Sequence, residues 1–135
     1  WLVPYLLAAG FVAVLVAKRH RKTLRMVART RARRPNLTES DFIAMLGRDV
    51  NAETAEFVWF AMIECLQAWQ LTPHPNDHIV KDLPIHEHDL TLDWMPRYAA
   101  LYGADAKNWP QWPVGWERTV RNFARWLELG LSQQS

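Results

Sequence analysis

The first seventeen residues, WLVPYLLAAGFVAVLVA, carry no charge, and the next seventeen, from Lys18 to Arg34, carry nine Lys or Arg and no acid. An uncharged run that stops abruptly at a dense cationic block leaves few architectures open. As a helix rising 1.5 Å per residue the run spans roughly 25 Å, slightly less than a ~30 Å hydrocarbon layer. The chain begins at Trp1 rather than Met, so further apolar residues upstream are expected to complete the span. Trp1 and Tyr5 lie at the far end, where amphipathic rings favour the membrane interface, and Pro4 falls in the first turn, where its missing N–H costs little.

Three readings compete for this segment. A secretory signal would place its charge before the apolar run and small residues at a cleavage site after it. Here the charge follows, and no small-x-small site precedes Lys18. A buried core helix has a comparable length. The basic flank favours the third reading, a membrane anchor over residues 1–17. Lys/Arg-rich flanks stay on the cytoplasmic side, so the expected topology is single-pass in a bacterial inner membrane, with the N-terminus outside and the C-terminal part cytoplasmic. A reducing compartment also suits the lone Cys65.

Residues 18–34 are helix-compatible as far as Pro35 and are expected to continue the anchor as a basic juxtamembrane helix. Lys18, Arg19, Arg21, Lys22 and Arg25 would lie against anionic headgroups, each contributing about 1 kcal/mol. RNA binding is the rival use of such a run, but the run holds no aromatic on which a base could stack. Residues 35–135 hold seven bases and all fourteen acids, a net charge of −7. The pI near 8.9 thus describes neither part, and no case for nucleic-acid binding follows from it.

The acidic part reads as a small all-α domain. Thr38 is a good N-cap with acids in the turn that follows, and Gly47 can close this first helix. Asn51 can cap a second, in which Trp59, Met62, Ile63, Leu66 and Trp69 recur at three- and four-residue steps while Phe57, Val58 and Phe60 widen the apolar face. That helix is expected to be central. Residues 71–89 carry three prolines and read as an irregular connection packed by Ile79, Val80, Leu83 and Ile85. A third helix places Leu90, Leu92, Trp94, Tyr98, Leu101 and Tyr102 on its apolar side. Pro96 either lies in its first turn behind an Asp93 cap or kinks it, and Gly103 ends it. An aromatic loop, NWPQWPVGW, leads to a last helix from about Trp116 to Leu129. There Arg118, Arg121 and Arg125 face outward and Gly130 is the stop. No segment alternates as a strand does.

This layout resembles the acyl carrier protein fold, with a long helix, a long loop ending in Asp-Leu, a helix, an irregular stretch and a closing helix. Val80-Lys81-Asp82-Leu83 looks like the acidic residue-Asp-Leu approach to a carrier's modified serine. The run Ile85 to Asp89, then Tyr98 and Tyr102-Gly103-Ala104-Asp105, is closer to a family of small uncharacterised bacterial proteins. Those are carrier-like in pattern but bear paired acids where carriers have Asp-Ser-Leu. The resemblance implies a four-helix carrier-like domain over residues 35–135. A carrier attaches phosphopantetheine to a serine, and this chain has only Ser40, Ser132 and Ser135, none of them between Val80 and Leu101. His88-Asp89-Leu90-Thr91 stands there instead. No prosthetic arm or other cofactor is expected, and Thr91 is the hydroxyl left for a non-standard carrier.

His74, His78, His86 and His88 fall in one fifteen-residue stretch, at spacings that can chelate zinc or nickel if the loop folds back. A solvated polar loop is the simpler reading, and no metal is assigned. No HExxH, G-x-S-x-G, P-loop or dinucleotide turn is present, and no catalytic residue is assigned. The favoured function is a non-catalytic, membrane-tethered accessory subunit that docks a protein partner, expected to be a membrane complex. Glu87, Asp89 and Asp93 are the expected contacts, joined by Trp109 and Trp112, since Trp is enriched where proteins meet. Packing of an ordinary core is the alternative use of those indoles. A carrier with another attachment residue, or a metal-binding protein built on the histidines, are the alternative functions.

Overall fold

The structure is a computed structural model and describes residues 2–134. Trp1, expected at the outer interface, lies outside the described residues.

The first helix, α1 (Val3–Arg33), runs unbroken from the apolar segment through the basic one. At 31 residues it is roughly 46 Å long. Its apolar window has a mean hydropathy of 1.3 and none of it is buried against the rest of the chain. Among the described residues it is the one helix long and apolar enough to cross a membrane. A core helix would be covered by its own domain, and this one is not. Arg31 and Arg33 occupy the last turn, where the macrodipole favours cations. Arg34 is extended at the C-cap, the conformation that Pro35 demands of the residue before it.

The head is a helical bundle. Helix α2 (Glu39–Leu46) starts at Thr38, whose hydroxyl accepts the Asp41 N–H at 3.2 Å. Helix α3 (Ala52–Leu66) starts at Asn51, whose side chain accepts the Thr54 N–H at 2.9 Å. Both caps are where the sequence places them. Val58, Trp59, Met62 and Leu66 of α3 are buried, and α3 packs against both α2 and the last helix, as a central helix must. Trp69 is not on α3. It lies in a 3-10 turn (Gln67–Trp69) that ends at a left-handed Gln70, φ 53°. Phe60 points outward at 51 % exposure.

The connection of residues 71–89 contains one helical turn, α4 (Ile79–Asp82), with Ile79, Leu83 and Ile85 buried; Val80, expected to pack, is exposed. Next come α5 (Glu87–Asp89), a π-helical turn (Leu90–Trp94) and α6 (Met95–Leu101). In the π turn the Met95 N–H bonds the Leu90 carbonyl, one residue further back than an α-helix allows. Pro96, which has no N–H to give, follows directly. The wider turn resets the register. Leu90, Trp94 and Tyr98 are buried, whereas Leu92 and Leu101, expected on the apolar side, are 75 % and 68 % exposed. Asp93 is not a cap; it pairs with Arg97 at 3.5 Å.

The last helix, α7 (Val120–Ser132), is capped by Thr119 and begins four residues later than expected, so Trp116 precedes it. Gly130 is inside α7, not its stop. A Cβ there would lie 1.9 Å from the Trp109 indole, so the missing side chain is the seat of that ring. Among the described residues there is no β-strand, only an isolated bridge between His78 and Thr119. The expected all-α class, with one long apolar N-terminal helix and a small bundle, is what the structure contains.

Gly130→Ala drives a methyl group into the Trp109 ring. Overpacking of this kind destabilises by about 1–3 kcal/mol, and denaturant unfolding of the variant should show a loss in that range.

Candidate functional site

The head is joined to α1 by more than the peptide bond at Pro35. Val27 and Thr30 of α1 are buried against α4, and the Thr30 hydroxyl donates to the Asp82 carbonyl at 2.5 Å. Above them, Arg34 grips Asp77 through two nitrogens, Nε to Oδ1 at 3.0 Å and Nη2 to Oδ2 at 2.5 Å. Arg33 reaches the same carboxylate at 3.3 Å and Asp82 at 3.0 Å. Asp77 is 1 % exposed, and its Oδ2 also accepts the His74 N–H at 2.9 Å. A buried carboxylate is tolerated only when paired and hydrogen-bonded, and here α1 supplies the charge.

The clamp continues into the chain that follows. Arg31 donates to the Trp69 carbonyl at 2.5 Å. Asn36 donates to the Gln70 carbonyl at 3.0 Å and accepts the Thr72 N–H at 3.2 Å. Pro35-Asn36 therefore ends the helix without forming a loose hinge. Burial alone would raise the Asp82 carboxyl, but hydrogen bonds from Arg33 and the His78 N–H outweigh it and hold it below its ordinary value. Arg33 is raised in turn by Asp82 and Asp77.

The basic flank divides in two. Lys18, Arg19, Arg21, Lys22 and Arg25 are exposed and make no ion pair among the described residues, whereas Arg31, Arg33 and Arg34 are engaged by the head. Tyr5 is exposed on the apolar part of α1.

The three expected partner acids do not form one patch. Glu87 pairs with Arg118 at 3.0 Å, and that guanidinium stacks 4.6 Å over the Trp112 ring. Asp93 turns to Arg97, which also holds Glu64 at 3.3 Å. Asp89 lies toward α3, where its charge, with those of Glu64 and Asp93, acts on Cys65. Trp109 and Trp112 are both half-buried. Trp109 sits edge-on to Tyr98, and Trp112 donates to the Trp116 carbonyl at 2.9 Å while tilting against Trp126. One groove, bounded by Thr91, Trp109, Trp112 and Arg118, joins the start of the third helical segment to the aromatic loop. Thr91 is exposed at its rim.

The histidines hold backbone. His74 Nδ1 accepts the Asn76 N–H at 3.0 Å, and His78 Nδ1 accepts the Lys81 N–H at 3.2 Å, capping α4. His86 and His88 stack on each other with centroids 5.3 Å apart, and His88 lies in α5 and not in an irregular loop. No group of three or more His, Cys, Asp or Glu suited to a metal occurs among the described residues. Burial, then the carboxylates of Asp89, Glu64 and Asp93, push the Cys65 thiol up, which makes it a weak nucleophile. Buried Tyr98, bonded to the Thr54 hydroxyl at 2.9 Å, is pushed up to about 12.

Comparison with protein-family models, curated proteins and solved structures gives no match to this chain.

Two predictions follow from the clamp. Arg34→Ala leaves Asp77 buried without its main counter-charge, and breaking one side of such a pair costs about 3–5 kcal/mol. Arg34→Lys should recover only part of that loss, because an ammonium lacks the two-pronged fit. Equilibrium unfolding in detergent measures both. The second concerns pH. Burial holds His74 below its ordinary value of 6.5, so its neutral form stabilises the fold above that value, and the contribution is lost as pH falls through the lowered one. Asp82, held below its ordinary 3.8, contributes above that value and is lost only in stronger acid. The thermal midpoint should be level above about pH 7, decline below about pH 6, and fall again below about pH 4. His74→Asn, which keeps an acceptor for the Asn76 N–H, should remove the first decline and leave the second.

Proposed function

We propose that this chain is a non-catalytic adaptor of a bacterial inner membrane, single-pass, with its N-terminus outside and its head in the cytoplasm. The head, laid out like a carrier domain without the serine, docks a protein partner within a membrane complex. The observation that carries this reading is the Arg33/Arg34 clamp on Asp77 and Asp82. A head fixed to its anchor presents the same face to every neighbour in the plane of the bilayer, which an adaptor requires and a carrier on a mobile tether does not. The positive flank supports the topology.

The surface offered to the partner is the groove between the aromatic loop and the Glu87 side of the third helical segment, with Asp89 and Asp93 on its far side. Rigid, half-buried indoles flanked by charge are the chemistry of protein recognition sites. The polar groups that could have suggested catalysis have other tasks. His74 and His78 hold turns, and Cys65 is disfavoured as a thiolate.

Gentle detergent extraction of the tagged chain from its host should bring down a companion protein in fixed ratio. Glu87→Gln with Asp89→Asn and Asp93→Asn should release it, while the head loses no more than two exposed ion pairs, about 0–1 kcal/mol each. A monodisperse protein without a companion contradicts the adaptor reading. Reporter fusions after Ser135 should fluoresce as a cytoplasmic green fluorescent protein and be silent as alkaline phosphatase; the reverse pattern overturns the topology. Peptide mass spectrometry should find Thr91 unmodified, since a pantetheine arm there would make the chain a carrier.

A further inference from the structure

We propose that the cleft where the head overhangs α1 binds an anionic phospholipid, with the phosphate held among Lys22, Arg29 and Lys81 and the glycerol end laid on Met26 and Val80. This rests on the reading of α1 as a membrane anchor, and goes beyond diffuse attraction of a basic flank to a bilayer.

Two adjoining concavities make the cleft. One is bounded by Lys22, Met26 and Arg29 on α1 and by Val80 and Lys81 on α4. The second shares Lys22, Met26 and Val80 and continues toward His86 and Trp69. Charge is the first argument for a lipid. Lys22, Arg29 and Lys81 make no ion pair among the described residues, and the acid nearest to them in the cleft, Asp82, is already taken by Arg33. Three cations without an ion pair line one cleft, and the carboxylate that also lines it is committed to Arg33. The head contributes one of the three although its net charge is negative, so the site is not simply the juxtamembrane run repeated.

Position is the second argument. Lys22 is five residues past Ala17, roughly 7.5 Å along the helix axis. The headgroup layer on each side of a bilayer is roughly 5–7 Å deep. Helical side chains lean toward the N-terminus, here toward the membrane, so the Lys22 ammonium falls in that layer, while Arg29, two turns and roughly 10 Å higher, closes the top of the cleft. The underside of the head comes to the same level. His20 tilts against Trp69 with centroids 5.9 Å apart, and Trp69, His86 and Thr23 line one concavity. An amphipathic indole at that height is where interfaces favour Trp. Met26, half-buried, and Val80, exposed, give the cleft an apolar floor. A cationic pocket with an apolar floor open to the headgroup layer matches an anionic phospholipid.

The full chain, reconstituted in nanodiscs of phosphatidylcholine with a minor share of phosphatidylglycerol, tests this after gentle release by native mass spectrometry of retained lipid. The unchanged protein should keep phosphatidylglycerol selectively. Lys22→Ala with Arg29→Ala and Lys81→Ala should keep roughly a hundredfold less. Lys18→Ala with Arg19→Ala and Arg21→Ala removes the same charge outside the three-cation cluster and should keep nearly all of it. Equal loss from both triples, or none from the first, overturns the site. Lys81→Glu alone, an exposed change on the head, should reproduce most of the loss with the thermal midpoint unchanged; retention in that variant also counts against the site. Failure to enter pure phosphatidylcholine discs overturns the anchor itself, an outcome distinct from entry without lipid selection.

Discussion

The buried carboxylate of Asp77 is the point on which the rest of the molecule turns. Its side chain receives Arg34 and Arg33 from α1 and the His74 N–H from its own loop. Its carbonyl accepts the N–H of Val120, while the Pro75 carbonyl accepts that of Arg121. These are first-turn donors of α7, which a helix cannot satisfy by itself. One residue thus secures the long connection, caps the last helix and recruits the cations at the end of the first. Without the arginines, the same carboxylate would be an unpaired charge in an apolar interior, so the fold of the head and the attachment of the head to α1 depend on one interaction.

Much of this architecture is legible in the sequence, for local reasons. The apolar run and its basic flank are contiguous, and the caps at Thr38 and Asn51 are decided within one turn. The central place of α3 follows from a 3.6-residue periodicity, although Trp69 continues that periodicity in sequence and lies beyond the helix, which ends at Leu66. What is not legible depends on distant contacts. Leu90, Trp94 and Tyr98 take the buried face at four-residue steps through the π turn, so Leu92, two residues from both Leu90 and Trp94, faces solvent, as does Leu101. Gly130 reads locally as a helix stop. Only the Trp109 ring, folded onto it from the aromatic loop, explains why glycine stands there within α7.

The clamp is not legible from local pattern. Arg33 and Arg34 read as the end of the basic juxtamembrane helix, and Asp77 falls in the connection of residues 71–89, which reads as irregular. A signal was nonetheless present. Asp77 follows Pro73 and Pro75 and directly precedes the apolar turn at Ile79, and an acid set in such a segment needs a cation from elsewhere. Two arginines placed immediately before a helix-ending proline are the nearest uncommitted supply. The acid patch fared differently. Three carboxylates within seven residues look like one surface, but on a helical segment they point around the axis, so Glu87 meets Arg118 while Asp93 meets Arg97.

Rigid coupling is the claim on which the adaptor reading and the lipid site both rest, and a distance distribution tests it directly. Spin labels at Leu24 of α1 and Gln67 of the head, in a Cys65→Ala background and a lipid nanodisc, should give one narrow distance by pulsed electron paramagnetic resonance, broadened when Asp77 is changed to Ala. A broad distribution in the protein with Asp77 intact would show that the head swings freely on α1, and would contradict the account.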